Sequence, residues 1–342
     1  MSASQRDVEK LLESHGKTIA QAFIDAIYAV LGAAAVGTLV EMIEAGRSAR
    51  DIMIALRIDA AALSPLVEAI RSTLRVGGEF ESRFIRRPGT AVRVVFDMRH
   101  PLAEQWIQRH SSTLVTNILA DQEQAIRTVL QAGIEAGRGP RSVALDVVGR
   151  VDRSTGRRTG GIVGLTDPQA QYVVNARSEL LDLSPEYFTR ARRDRRFDGI
   201  VRRAIRDGKP LSTADVDRIV GRYSDRLLNL RGEMIGRTEA LQSLNAGRFQ
   251  SYQQAIERGD ILAENVTKQW KSLSDTRVRE THAAMHNQTV GYDAVFTSPA
   301  GAVMLHPGDT SMGAGASEII QCRCHVNYRV RWGREEMRDL PQ

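Results

Sequence analysis

Cysteine is almost missing from this 342-residue chain, which holds only Cys322 and Cys324. One residue between them makes a bridge to each other geometrically awkward, so a disulfide framework is excluded and a reducing compartment is expected. Lysine is nearly as scarce: of 47 basic residues five are lysine and 42 arginine, against 41 acids, for a net charge of +6. Long apolar runs are missing too. Residues 26–40 are apolar or small, but Asp25 and Glu41 bound them, and a bilayer span needs about 20 residues. A buried helix or helix pair is expected there, and membrane contact is not. The polar, mixed-charge stretch from Gln5 to Lys17 does not fit a secretory signal. Neither a Ser/His/Asp motif, nor H-E-x-x-H, nor a phosphate-cradling glycine loop is present, Gly160-Gly161 being too short.

What remains is an ordinary soluble composition, 42% hydrophobic and 26% charged, on a chain long enough for two or three domains. Guanidinium binds phosphate and carboxylate through a rigid fork, so the arginine bias fits a polyanion or an acidic partner; a base-composition bias in the coding DNA explains it equally.

Residues 1–150 read as helices with interruptions, punctuated by Gly46, Gly77 and Gly78. Residues 79–99 suit a β-ribbon turning at Pro88-Gly89, and Pro101 opens a helix running towards Glu135. An Arg/Gly/Ser/Thr-rich loop at 150–164 marks a boundary, so that 151–260 forms an arginine-rich helical region and 261–335 a small domain. Thr166 or Asp167 caps the next helix, with Pro168 in its first turn. A further helix from Ser184-Pro185 is expected to carry Arg190, Arg192, Arg193, Arg195, Arg196, Arg202 and Arg203, a density that could track a phosphate backbone or meet an acidic surface. Pairing with Glu186, Asp194 and Asp198 would make it a solvated face instead.

The clearest periodicity follows Pro210. Ser212-Thr-Ala-Asp215 has a capping-box pattern, and Val216, Val220, Tyr223, Leu227, Leu230, Met234, Leu241 and Leu244 recur at spacings that alternate four and three. This predicts a long helix over about 212–257 with one seam. Arg237 falls in that seam, beside Thr238 and Glu239, and burying it demands a carboxylate from elsewhere.

Beyond Asp260 short elements alternate. Residues 265–271 read as a strand, Asp275 to His286 as a helix capped by Ser274 or Asp275, and 295–296, 303–305 and 324–330 as strands of a short antiparallel sheet. The fold class is therefore mainly α with a small C-terminal α+β domain. In the predicted helix Arg279, His282 and His286 share a face.

The order Trp270, Asp275, Arg277-Val-Arg279, His282, His286, Pro307-Gly308-Asp309, Glu318, Cys322-Arg323-Cys324 resembles the Mu F-like minor head proteins, also called phage head morphogenesis proteins. The resemblance covers about residues 160–330 and is strongest from 230. It departs at Asn287, where glycine is frequent, and at Gln321, where asparagine is usual. It implies a low-copy component of a tailed-phage head, located in the virion head and in the host cytoplasm during assembly. Its implied partners are the portal, capsid or scaffolding proteins and double-stranded DNA, with no small-molecule substrate.

His282, His286, Cys322 and Cys324 have the ligand types and number for tetrahedral, structural zinc, with His306 and His325 as substitutes; a hydrogen-bonded core with two buried thiols is the alternative, and no cofactor is certain. Arg237, Glu239, Asp275, Arg279, His282 and Glu318 are the residue types of a nuclease or transferase site, or of a charged network that orients the small domain. The scaffold reading is preferred over an enzyme.

Overall fold

The computed structural model describes residues 4–86, 93–152, 155–273 and 275–332. Six helices come first: α1 (Gln5–Gly32), α2 (Val36–Glu44), α3 (Ala49–Ala55), α4 (Ser64–Ser82), α5 (Pro101–Glu135) and α6 (Pro140–Val148). A two-stranded ribbon, β1 (Arg150–Val151) with β2 (Arg158–Thr159), leads to α7 (Asp167–Leu181), α8 (Asp198–Asp207) and α9 (Thr213–Glu257). The remainder contains β3 (Val266–Lys271), α10 (Glu280–Ala284), β4 (Thr289–Gly291), β5 (Phe296–Thr297), β6 (Val303–Met304), α11 (Ala316–Ile319) and β7 (His325–Val330). The protein is thus mainly helical with short antiparallel sheets, the largest in order β4-β3-β7.

Local chemistry sets several of these boundaries. Thr166 accepts from the Gln169 backbone while Gln169 reaches back to the Thr166 N–H, a reciprocal cap that starts α7. Ser212 accepts from Asp215 N at 3.1 Å and so starts the 45-residue α9. Gly77 and Gly78, expected as breaks, lie inside α4. A Cβ on Gly77 would overlap the Leu244 carbonyl of α9, one on Gly247 the Leu74 carbonyl, and one on Gly78 the Phe96 ring. Glycine is there for close approach, not for a turn. For the same reason Phe80 and Glu81 are helical, not strand, and 93–97 carry no strand. The Pro88-Gly89 turn and the Ser274 cap lie outside the described residues.

Contacts divide the chain into two compact units, one of Met1–Gln21, Leu66–Ser111 and Glu233–Gln342, the other of Ala22–Pro65 and Ser112–Gly232. Compactness and composition therefore partition the sequence along different lines. In the second unit Arg138, Arg150 and Arg177 converge on Asp146 and Asp217, and Arg231 is shielded between Asp121 and the Gly164 carbonyl.

In the first unit α9 is buried all round from Thr238 to Arg248. That stretch is polar because each group meets a partner: Glu239 with His110, Asn245 with the Pro307 carbonyl, Arg248 with Glu81. Arg237 corrects the expectation drawn from the seam, since it is exposed. One position earlier, Gly236 packs directly on Gly16 of α1, which turns the buried line through Gly236 and Ala240 and leaves Arg237 outside. No single helix among the described residues is long and apolar enough to cross a membrane; α1 and α2 pass that test only as a pair bent by 75°, and between them they bury Phe23, Ile27, Leu31 and Leu39.

Candidate functional site

The alternation Val266, Lys268, Trp270 turns one face of β3 inward. Trp270 stands edge-on to the His282 ring, centroids 5.3 Å apart. His282 comes from the five-residue α10, shorter than the predicted 275–286 helix because Arg279 has extended backbone angles and acts as its N-cap. Asp275 is drawn off instead to the Arg323 guanidinium in a bidentate pair at 2.7 and 2.5 Å. The pairing holds Cys322-Arg323-Cys324 against α10, with both thiols turned inward.

The result is a buried triad. His282 Nδ1 is 3.4 Å from Cys322 Sγ and 3.5 Å from Cys324 Sγ. The other ring nitrogen, Nε2, lies 2.7 Å from Glu318 Oε2 but off the line of a good hydrogen bond; Thr281 donates to the same oxygen at 3.2 Å. Burial alone would raise the Cys322 thiol, but hydrogen bonds from Cys324 and His282 outweigh it and draw it well below the usual thiol range. Cys324 is pushed far up by Cys322 beside it and by its own burial. Burial opposes a charge on His282, yet Cys322 and Glu318 hold its pKa above the ordinary value.

His286 does not join them. Past the end of α10 the chain turns at Asn287, φ +71°, and His286 Nδ1 faces the Ser272 backbone N–H at 3.2 Å and the Ser272 hydroxyl at 3.0 Å. Of the four side chains expected as ligands the structure brings three together, His282, Cys322 and Cys324. Neither substitute replaces His286. His306 Nδ1 is 3.2 Å from the Pro307 carbonyl, and His325, fully buried, has no partner for either ring nitrogen among the described residues. Burial and nearby cations lower His325 to about 3.

The residue types of an enzyme site occupy separate settings. Glu239 is with His110, Asp275 with Arg323, Arg279 on the Ile320 carbonyl, Glu318 beside His282, and Arg237 in solvent. His282 and Glu318 come together at the thiols, and the Arg279 charge acts on Cys324.

The arginine-rich segment departs from a single helix. It is a 3-10 turn at Pro185–Thr189, another at Arg195–Phe197, and then α8. Arg190 is engaged by Glu179 and Arg193 by Asp198, both bidentate. Arg192, Arg195, Arg196, Arg202 and Arg203 are exposed, with Arg196 also bonded to Asp194 and Arg202 reaching Asp198 at 3.8 Å and the Phe188 ring.

Sequence reasoning missed two buried cations. Arg248 donates to Glu81 Oε2 at 2.7 Å and to the Val326 carbonyl at 2.7 Å. Lys268 donates to the Leu305 carbonyl at 3.0 Å amid the rings of Phe249, Tyr292 and Phe296, and burial lowers it to about 8. Both positions carried a signal: the four-three spacing continued past Leu244 lands on Arg248, and period two in β3 puts Lys268 between Val266 and Trp270. The Pro307-Gly308-Asp309 turn belongs to this neighbourhood. Its Pro307 carbonyl accepts from Asn245, Gly308 (φ +85°) lies against Leu241 and Gln242, and Asp309 accepts from Leu305 N and Ser311 N.

Residues 199–327 match the family model for phage Mu protein F like protein. This stretch is similar to the Mu F-like proteins. It spans α8, α9 and the small domain as far as β7, and it includes the thiol-imidazole triad, Glu318 and the Pro307-Gly308-Asp309 turn, while most of the arginine-rich segment lies upstream. The likeness to phage Mu protein F is confined to these residues. No curated protein and no solved structure matched the chain.

Proposed function

We propose that this chain is a minor head protein of a tailed phage, acting with the portal and with capsid or scaffolding proteins during head assembly, and residing afterwards in the virion head. The observation that carries the reading is the Mu F-like match over residues 199–327. Two features support it. Within the first unit the buried polar contacts of α9 tie it to α4, α5 and the small domain, which suits a structural component. Exposed Arg192, Arg195, Arg196, Arg202 and Arg203 present fixed positive charge close together in sequence, which suits double-stranded DNA, with an acidic portal surface as the alternative target. A non-enzymatic role is in keeping with the dispersal of the candidate acid-base groups.

The test is co-sedimentation of the purified full-length chain with portal oligomers from the same phage. Saturable binding is expected. Failure to bind portal, combined with cleavage of nucleic acid by the same preparation, would replace this reading with the effector alternative.

A further inference from the structure

We propose that His282, Cys322 and Cys324 are the protein ligands of one zinc ion, bound through His282 Nδ1 and both sulfurs, with Glu318 as the positioning residue on the opposite ring nitrogen. No other His, Cys, Asp or Glu among the described residues joins this group.

Geometry carries the assignment. With Zn–S of about 2.3 Å and Zn–N of about 2.0 Å at tetrahedral angles, each nitrogen–sulfur edge is about 3.5 Å. The two observed edges are 3.4 and 3.5 Å. Nδ1 has a single proton or a single lone pair, so without a metal it can serve only one of two equidistant sulfurs well. A cation at the centre satisfies all three atoms. The far side of the ring faces a carboxylate, as in metal-binding imidazoles, so Nδ1 is the nitrogen turned to the sulfurs. Glu318 Oε2 stands there at 2.7 Å, itself buried and held by Thr281. Two thiolates with one imidazole suit zinc better than calcium or magnesium, which prefer oxygen.

The site also joins elements that have little else to fix them. His282 is on the five-residue α10, Cys322 follows the four-residue α11, and Cys324 leads into β7. Helices this short do not persist unaided. Binding releases thiol protons and turns metal affinity into folding free energy for the small domain.

The experiment uses the full-length chain with zinc alone as probe. About one zinc per chain is expected by elemental analysis. Mercurial titration of the two thiols should release it, and cobalt(II) substitution should give a thiolate-to-metal charge-transfer band. Glu318→Gln should keep the fold by circular dichroism but weaken zinc about 10- to 100-fold in chelator competition. His286→Ala should leave zinc content unchanged, a control that does not depend on Cys322→Ser or Cys324→Ser folding. Folded protein with no zinc and no cobalt charge-transfer band would overturn the site. Zinc lost in His286→Ala but retained in His282→Ala would overturn the ligand set.

Discussion

Arg248 and Glu81 meet where neither side chain is exposed, the guanidinium Nε 2.7 Å from Oε2. Tyr252 donates to the other carboxylate oxygen at 3.1 Å, and burial together with this carboxylate keeps the phenol's pKa far above its usual value. The pair ties α4 to α9, and the second guanidinium arm ties α9 to the Val326 carbonyl in β7.

Removing one partner leaves the other charge stranded in a dry environment. Glu81→Gln is expected to cost about 3–5 kcal/mol in urea unfolding of the full chain, and Arg248→Met, which strands Glu81, a similar amount. A loss below about 1 kcal/mol in both would show that the charges are not held together as described.

Gln321 has φ +56°, in the left-handed region that a γ-extended side chain occupies at a cost. The turn is pinned there because its N–H donates to Thr238 Oγ1 at 3.2 Å and the preceding carbonyl accepts from Arg279. Asparagine tolerates this conformation better, so Gln321→Asn should stabilise by about 0.5–1 kcal/mol, read as a raised denaturation midpoint with unchanged slope. Asn287, at φ +71°, shows the same substitution logic already in place where glycine is frequent in the resembling family.

The exposed and the engaged arginines should separate by assay. Replacing Arg192, Arg195 and Arg203 with glutamine should leave the melting temperature unchanged while weakening binding to duplex DNA. The salt slope should flatten by about 0.9 for each arginine that touches a phosphate. Arg193→Gln should instead lower stability, because Asp198 loses its bidentate partner. Equal DNA affinity in the triple variant and the unaltered chain would remove DNA as the target of this segment.

Asp275 has its pKa lowered to about 2, chiefly by the hydrogen bonds from Arg323, against the opposing effect of burial. A depressed carboxylate stabilises the folded state above its unfolded pKa of about 4, and that contribution is lost as pH falls through about 2. The stability difference between the unaltered chain and Asp275→Asn should therefore be constant from neutral pH down to about 5 and then shrink steadily towards pH 2. A difference that instead grew on acidification would contradict the pairing.

Much of this was legible where local chemistry and burial agree. Ser212 with Asp215 and the recurrence from Val216 to Leu227 mark α9 because the cap and the apolar spacing point the same way. Pro101 and Glu135 bound α5 in both sequence and structure. Legibility ends where tertiary contact overrides a local rule. Gly77 reads as a breaker until Leu244 arrives against it, and Arg237 reads as buried until Gly236 seats on Gly16. His286 reads as a ligand only while α10 is taken to continue, and the Asp275–Arg323 pair leaves that helix five residues long. Cys322, Cys324, His282 and Glu318 were all singled out in sequence, but nothing in their spacing tells which ring nitrogen faces the sulfurs.

The central claim, that this chain is a minor component of a phage head, is tested most directly by quantitative mass spectrometry of gradient-purified particles from cells producing it. The account predicts a fixed, low copy number in heads, comparable with the portal and far below the major capsid protein. Absence of the chain from procapsids and mature heads alike would contradict it.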